Sequence, residues 1–184
     1  MEQGENRFLP SVQTYFFTYL NLLLMPNWCS NYVTFSGDKE KIKQLNNALE
    51  AAENAQKKER QGQIIHSLEC VIYSYFFEIY FYADDSITLQ FETRWAPNIE
   101  DVAQLCKEYE LTAEHEYEEC GMQIYGTTTY DIDGTYIDEQ VNQEFLDLIE
   151  YDDESGLYLY NDESWESEME LITTEYPKWK NNNL

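Results

Sequence analysis

Three glutamates alternate with a histidine and a tyrosine in Thr112–Glu119 (TAEHEYEE). On an extended strand Glu114, Glu116 and Glu118 share one face, about 6.6–6.8 Å apart, because each residue rises about 3.3–3.4 Å. Duplex DNA presents a phosphate every ~3.4 Å of axis on each strand, so a sheet face carrying this row can imitate a phosphate ladder. Further acids stand at Glu119, at Asp131 and Asp133, at Asp138 and Glu139, at Asp152, Asp153 and Glu154, and at Asp162 and Glu163, followed by Glu166, Glu168 and Glu170. The aromatics Tyr151, Tyr158, Tyr160 and Trp165 lie among them and offer stacking and cation–π contacts to arginine. The chemistry this pattern suits is recognition of a basic protein surface, by electrostatic complementarity and fast, salt-sensitive association.

Other chemistries find less to work with. His66 and Cys70 are four apart, His115 and Cys120 five apart, and Cys29 and Cys106 stand alone. Zinc sites usually carry a tight pair such as C-x2-C or H-x3-H. Asp131, Asp133 and Gly134 fall at positions 3, 5 and 6 of a calcium loop, yet Thr129 and Gln140 occupy positions 1 and 12, where an acid is needed. Asp133–Gly134 reads instead as a type I′ hairpin turn. The two histidines have no nucleophile elbow beside them, and there is no Gly-rich phosphate loop. Among 36 acids, close carboxylate pairs arise by chance and mark nothing. The expectation is a non-enzymatic protein with no cofactor and no metal. Four cysteines without a CxxC point to reduced thiols rather than a disulfide framework.

The totals bound this reading. The chain has 184 residues, 43% of them hydrophobic, enough for a core, and a formal charge of -25. The charge is uneven. Residues 1–99 carry 12 Asp/Glu against 8 Lys/Arg, a net of -4, whereas residues 100–184 carry 24 against Lys107, Lys178 and Lys180, a net of -21. Such a field argues against direct contact with nucleic acid or an anionic membrane and favours basic partners. The apolar run Tyr15–Leu24 is too short to span a bilayer. It lacks the positive start and small-residue cleavage site of a signal peptide, so residues 1–24 read as an N-terminal extension, either a packed helix or sequence ahead of a start at Met25.

The elements that must position these residues follow from periodicity. Asn31–Phe35 alternates as a strand closed by Gly37, and Asp38 then caps a helix with Ile42, Leu45, Leu49 and Ala52 at helical spacing. Val71–Tyr82 is dense in β-formers, Asp84–Ser86 supplies a turn, and Ile87–Thr93 alternates as the second strand of a hairpin. Pro97 and Asn98 lead into a helix with Ile99, Val102, Leu105, Cys106 and Tyr109 on one face. Thr112–Glu119 and Met122–Tyr130 are strands, Thr135–Ile137 completes a hairpin, and Val141–Ile149 holds a short helix. The order β-α-β-β-α-β predicts a ferredoxin-like α+β domain: an antiparallel sheet with two helices on one face, plus an extra hairpin and an acidic C-terminal extension. The expected divisions are 1–24, a ferredoxin-like domain over 25–138, and an acidic, aromatic-rich extension over 139–184 packed on the same core.

Three segments carry a family resemblance: Met25–Asn31 (MPNWCSN), Phe91–Pro97 (FETRWAP) and Tyr117–Gly121 (YEECG). Together they resemble the YubB-type ferredoxin-like family, over about residues 25–136, with little after Asp138 corresponding. The resemblance implies a ferredoxin-like fold and a plasmid, phage or other mobile-element setting, in a family of unknown function, and it lends no catalytic residues. Its motif residues Trp28, Asn31, Trp95 and Pro97 have a structural account. A tryptophan at each end of two neighbouring strands closes the core, and Pro97 starts a helix where its missing N–H is harmless.

These readings converge on a cytoplasmic interaction protein of a bacterial host. It would be a nucleic-acid mimic that occupies the basic groove of a host defence or DNA-processing enzyme, with Glu114, Glu116, Glu118, Glu119, Asp131, Asp133, Asp152, Asp153, Glu154, Asp162 and Glu163 facing the partner. The alternatives are a structural or regulatory ferredoxin-like module whose charge is incidental, and a metal-dependent enzyme.

Overall fold

The computed structural model describes residues 27–59, 63–66 and 71–183. The apolar run Tyr15–Leu24 and Cys70 lie outside the described residues, as do Met25 and Pro26 of the first motif. Strand β1 (Trp28–Ser36) turns its odd-numbered residues inward, burying Cys29, Asn31, Val33 and Phe35. Gly37 then leaves the strand in close contact with Leu111, whose side chain a Cβ at Gly37 would meet at 2.6 Å. Asp38 Oδ1 accepts from the Glu40 N–H at 2.9 Å, the expected cap on helix α1 (Lys39–Glu59). The stripe Ile42, Leu45, Leu49 and Ala52 is buried.

The chain continues through β2 (Gln63–His66), β3 (Val71–Tyr82), β4 (Ser86–Arg94), helix α2 (Ile99–Tyr109) and β5 (Thr112–Glu119). The main sheet is antiparallel at every pairing, in the order β2-β3-β4-β1-β5-β6-β7. Four of its strands, β3-β4-β1-β5, have the ferredoxin-like arrangement: the crossover through α1 skips β4, and the crossover through α2 skips β1. The two helices contribute Ile42, Leu45, Leu49, Val102, Leu105 and Cys106 to a core shared with Val33, Phe35, Leu89 and Phe91 of the sheet.

The added hairpin pairs β6 (Ile124–Tyr130) with β7 (Tyr136–Gln140). Its turn is not the type I′ turn expected at Asp133–Gly134. Only Gly134 has positive φ, the Gly134 N–H donates to the Asp131 carbonyl, and the Asp131 N–H donates to the Thr135 carbonyl. That is a type I turn followed by a left-handed glycine, the three-residue hairpin solution.

Residues 143–183 hold more regular structure than their sequence announces: helix α3 (Gln143–Leu146), a second antiparallel sheet of β8 (Glu150–Asp152), β9 (Leu157–Tyr160) and β10 (Glu163–Trp165), and helix α4 (Glu168–Asn183). The type I′ turn is here, since Asn161 and Asp162 both have positive φ, at 50° and 64°, between paired Tyr160 and Glu163. Phe145, Leu146, Tyr160, Leu171 and Ile172 form a second buried cluster together with Tyr125 of β6. Tyr125 pairs with Glu118, which pairs with Ser30. By strand alternation Tyr125 therefore faces away from α1 and α2, and the second cluster sits on the opposite side of the sheet from the first. Among the described residues no helix is long and apolar enough to cross a membrane.

Candidate functional site

The two faces of β5 carry different polar chemistry. Toward the helices, His115 is 1% exposed and both its ring nitrogens are engaged. Asn31 Nδ2 donates to the Cys29 carbonyl at 2.8 Å and to Thr93 Oγ1 at 2.9 Å, which fixes the amide orientation. Asn31 Oδ1 can then only accept, so His115 Nε2 carries the proton it donates there at 2.9 Å, and Nδ1 accepts from the Tyr130 hydroxyl at 3.0 Å. Thr93 Oγ1 passes its own proton to the Ala96 carbonyl at 2.7 Å. Burial pulls the His115 pKa down to about 4, with Asp138 acting weakly the other way. Beside this chain, Asp138 Oδ1 accepts from Tyr117 at 2.7 Å and Thr128 at 2.8 Å. Gly126 leaves room for the Tyr117 hydroxyl, with which a Cβ would collide. Closed, directed and without access, this network positions strands.

The other face is open along β1 and the Glu114 end of β5. Glu114, Glu116 and Glu118 stand there in register, with Thr34, Tyr32 and Ser30 opposite on β1 and Thr129, Thr127 and Tyr125 opposite on β6. None of these six neighbours is a cation. Glu114 and Glu116 are exposed. Glu118 is partly covered, and burial, with Glu168 adding to it, raises its carboxyl above the ordinary range. Aromatic surface adjoins the row: Tyr32 and Tyr80 meet edge-on with centroids 5.9 Å apart, at 38% and 64% exposure.

The remaining predicted partner residues do not all join this row. Glu119 is a correction. It points to the closed face, is 2% exposed, and its carboxylate accepts from the Gly121 N–H at 2.9 Å and the Met122 N–H at 2.6 Å. Asp131 and Asp133 lie at the other end of β6 from Tyr125, roughly 20 Å along the strand. Thr135 donates its N–H and hydroxyl to Asp133, which holds that carboxyl below its usual range. Asp152 similarly accepts from Ser155 and the Glu154 N–H, which lowers it too. Asp153 and Glu154 are exposed in the β8–β9 turn, Asp162 in the β9–β10 turn and Glu163 at the start of β10.

The motif tryptophans are also corrected. Trp28 is 37% and Trp95 45% exposed, so neither closes the core. Trp28 lies under the Arg94 guanidinium, whose Cζ is 6.0 Å from its ring centre, and Trp95 holds φ +71° with its N–H on the Asn27 carbonyl. Pro97 precedes the first residue of α2 by two positions, and the Asn98 carbonyl takes the first helical N–H groups. Asn31 alone of the four is buried. The Cys29 and Cys106 thiols are pushed up to about 12 by burial, which removes thiolate chemistry. Among the described residues no group of three His, Cys, Asp or Glu is placed to hold a metal ion.

Sequence reasoning missed the residues that frame the lower part of the open face. Helix α4 stands over β5–β7 and leaves a cavity of about 340 Å³, with Thr127 and Tyr125 on the sheet side and Met169, Ile172 and Tyr176 on the helix side. Glu116 and Glu139 reach it from the sheet, and Lys180 Nζ, from the helix, lies 3.0 Å from Glu139 Oε2. The strand alternation that revealed the acid row carries no record of which helix lies across it.

Residues 75–175 match the family described as "Ferredoxin-like domain in Api92-like protein", a description that names a fold and no reaction. The matched span runs from within β3 to within α4. It includes much of the region after Asp138 that the motif resemblance leaves uncovered. No curated protein and no solved structure matches the chain.

Proposed function

The chain belongs to the family of ferredoxin-like domains in Api92-like proteins, and from that premise we propose that it is a non-enzymatic interaction protein that acts as a nucleic-acid mimic. The reading rests on one observation: Glu114, Glu116 and Glu118 stand in register on the sheet face turned away from α1 and α2, the first two exposed, with no cation among their cross-strand neighbours. Their ~6.7 Å spacing is about twice the ~3.4 Å rise between phosphates. A basic groove that tracks regularly spaced phosphates therefore meets regularly spaced carboxylates. The neighbouring Tyr32 and Tyr80 add aromatic surface for arginine side chains.

The partner is a nucleic-acid-handling enzyme in the cytoplasm of a bacterial host, in the mobile-element setting that YubB-type proteins share. Blocking its groove would inhibit host defence or DNA processing. Association would be steered by the field of the acidic half and weakened by salt. The protein is used as bait in host lysate at low and moderate salt, with duplex DNA as competitor. Expected is capture of a basic nucleic-acid-handling enzyme that duplex DNA releases and that the triple variant Glu114→Lys, Glu116→Lys, Glu118→Lys fails to hold. Recovery of no such enzyme at either salt overturns the proposal, as does undiminished capture by the triple variant.

A further inference from the structure

Resting on that reading, we propose that the cavity beneath α4 receives an arginine side chain presented by the basic partner. Glu116 on β5 pairs with Thr127 on β6, which pairs with Glu139 on β7. The two carboxylates therefore flank one threonine on the same face, about 9–10 Å apart at their Cα atoms across two strand spacings. Met169, Ile172 and Tyr176 make the opposite wall apolar, and the space between is about 340 Å³. An apolar slot with acids at its mouth suits a long aliphatic stem ending in a cation. A guanidinium suits it better than an ammonium, because its planar fork can bridge carboxylates and stack on the tyrosine rings.

The protein already places a cation of its own at this mouth. Lys180 pairs with Glu139 at 3.0 Å, with the two side chains 40% and 59% exposed, and Glu116 has no such partner among the described residues. Pro177 lies within α4 just before Lys180 and lacks the N–H that would tie this last turn to the Thr173 carbonyl. Lys180 is thus an exchangeable stand-in that the incoming arginine displaces.

The test is an NMR titration of the full chain, following the Met169, Ile172 and Thr127 methyl resonances. The probes are N-acetyl-arginine amide and its lysine and citrulline analogues. Expected are saturable shifts with arginine, smaller shifts with lysine and none with citrulline. Lys180→Ala tightens arginine binding by about threefold, the scale of one exposed ion pair. Thr127→Trp fills the floor and abolishes the shifts while circular dichroism shows the fold retained. Equal response to citrulline overturns the proposal, as does arginine binding that survives in a folded Thr127→Trp variant. Methyl shifts with arginine, combined with partner capture that ignores Glu114→Lys and Glu118→Lys, overturn the mimic reading and leave the cavity site standing. The reverse pattern overturns the cavity site alone.

Discussion

Toward the helices, β5 presents His115, Tyr117 and Glu119, each bonded to another part of the protein. Away from them it presents Glu114, Glu116 and Glu118, whose cross-strand neighbours leave their charge uncompensated. The magnitudes differ as well. An orphaned buried donor or acceptor costs about 1–3 kcal/mol. Two exposed carboxylates ~6.7 Å apart repel by only about 0.6 kcal/mol in water, and less with salt. Polar residues on the closed face therefore decide the structure. Those on the other face are cheap to keep unpaired.

The largest expected effect breaks the closed side. Asn31→Ala orphans the His115 Nε2–H and removes the donor to the Cys29 carbonyl and Thr93 Oγ1, so denaturant unfolding should show a loss of about 3–4 kcal/mol, and Tm should fall by roughly 10 °C. A loss under ~1 kcal/mol would remove the distinction drawn between the faces. Next comes pH. His115 has an ordinary value of 6.5 and a folded value of about 4. Between those limits the unfolded chain takes up a proton that the folded chain refuses, so stability falls as pH drops from 6.5 to 4, by about 3 kcal/mol at most. Above pH 6.5 this contribution is flat. Glu118, whose carboxyl is raised, acts with the opposite sign, so urea midpoints of His115→Gln against the parent isolate the histidine.

Glu119→Ala, which strips the acceptor from two turn N–H groups, should cost about 1–2 kcal/mol, while Glu114→Ala should stay within about 0.5 kcal/mol. Equal costs at these two positions would erase the contrast between odd and even residues on this strand. The smallest effect sharpens it. Replacing Glu114, Glu116 and Glu118 together by Gln should raise stability by less than about 1 kcal/mol at low salt, and the gain should vanish near 1 M salt, where the screening length is about 3 Å.

Most of the ferredoxin-like unit was legible because its signals are local. The alternation in Thr112–Glu119, the Asp38 cap and the stripe Ile42, Leu45, Leu49 each specify an element without reference to a distant residue. Parity alone puts Glu119 on the face opposite Glu114, Glu116 and Glu118, yet the expected partner-facing acids include it, and nothing local announced that it would close a turn on the Gly121 and Met122 N–H groups. Beyond the short helix expected within Val141–Ile149 and found at Gln143–Leu146, residues 150–183 were opaque for a physical reason. Their strands are three or four residues long, and α4 has a weak apolar stripe, so their burial comes from contacts with Tyr125 and Phe145 across the chain. The cavity shares that origin. Its walls, Thr127 and Met169, are distant in sequence and meet only once α4 lies over the sheet. The tryptophans misled because large aromatics usually close cores, whereas Trp28 and Trp95 stay at the surface.

Strand β6 gives Tyr130 to one apolar cluster and Tyr125 to the other. The two cores therefore share a wall, and neither can melt without stripping one side of that strand. Although they lie on opposite sides of the sheet, they should unfold as one cooperative unit. A calorimetric scan should show a single peak, with calorimetric and van't Hoff enthalpies in agreement.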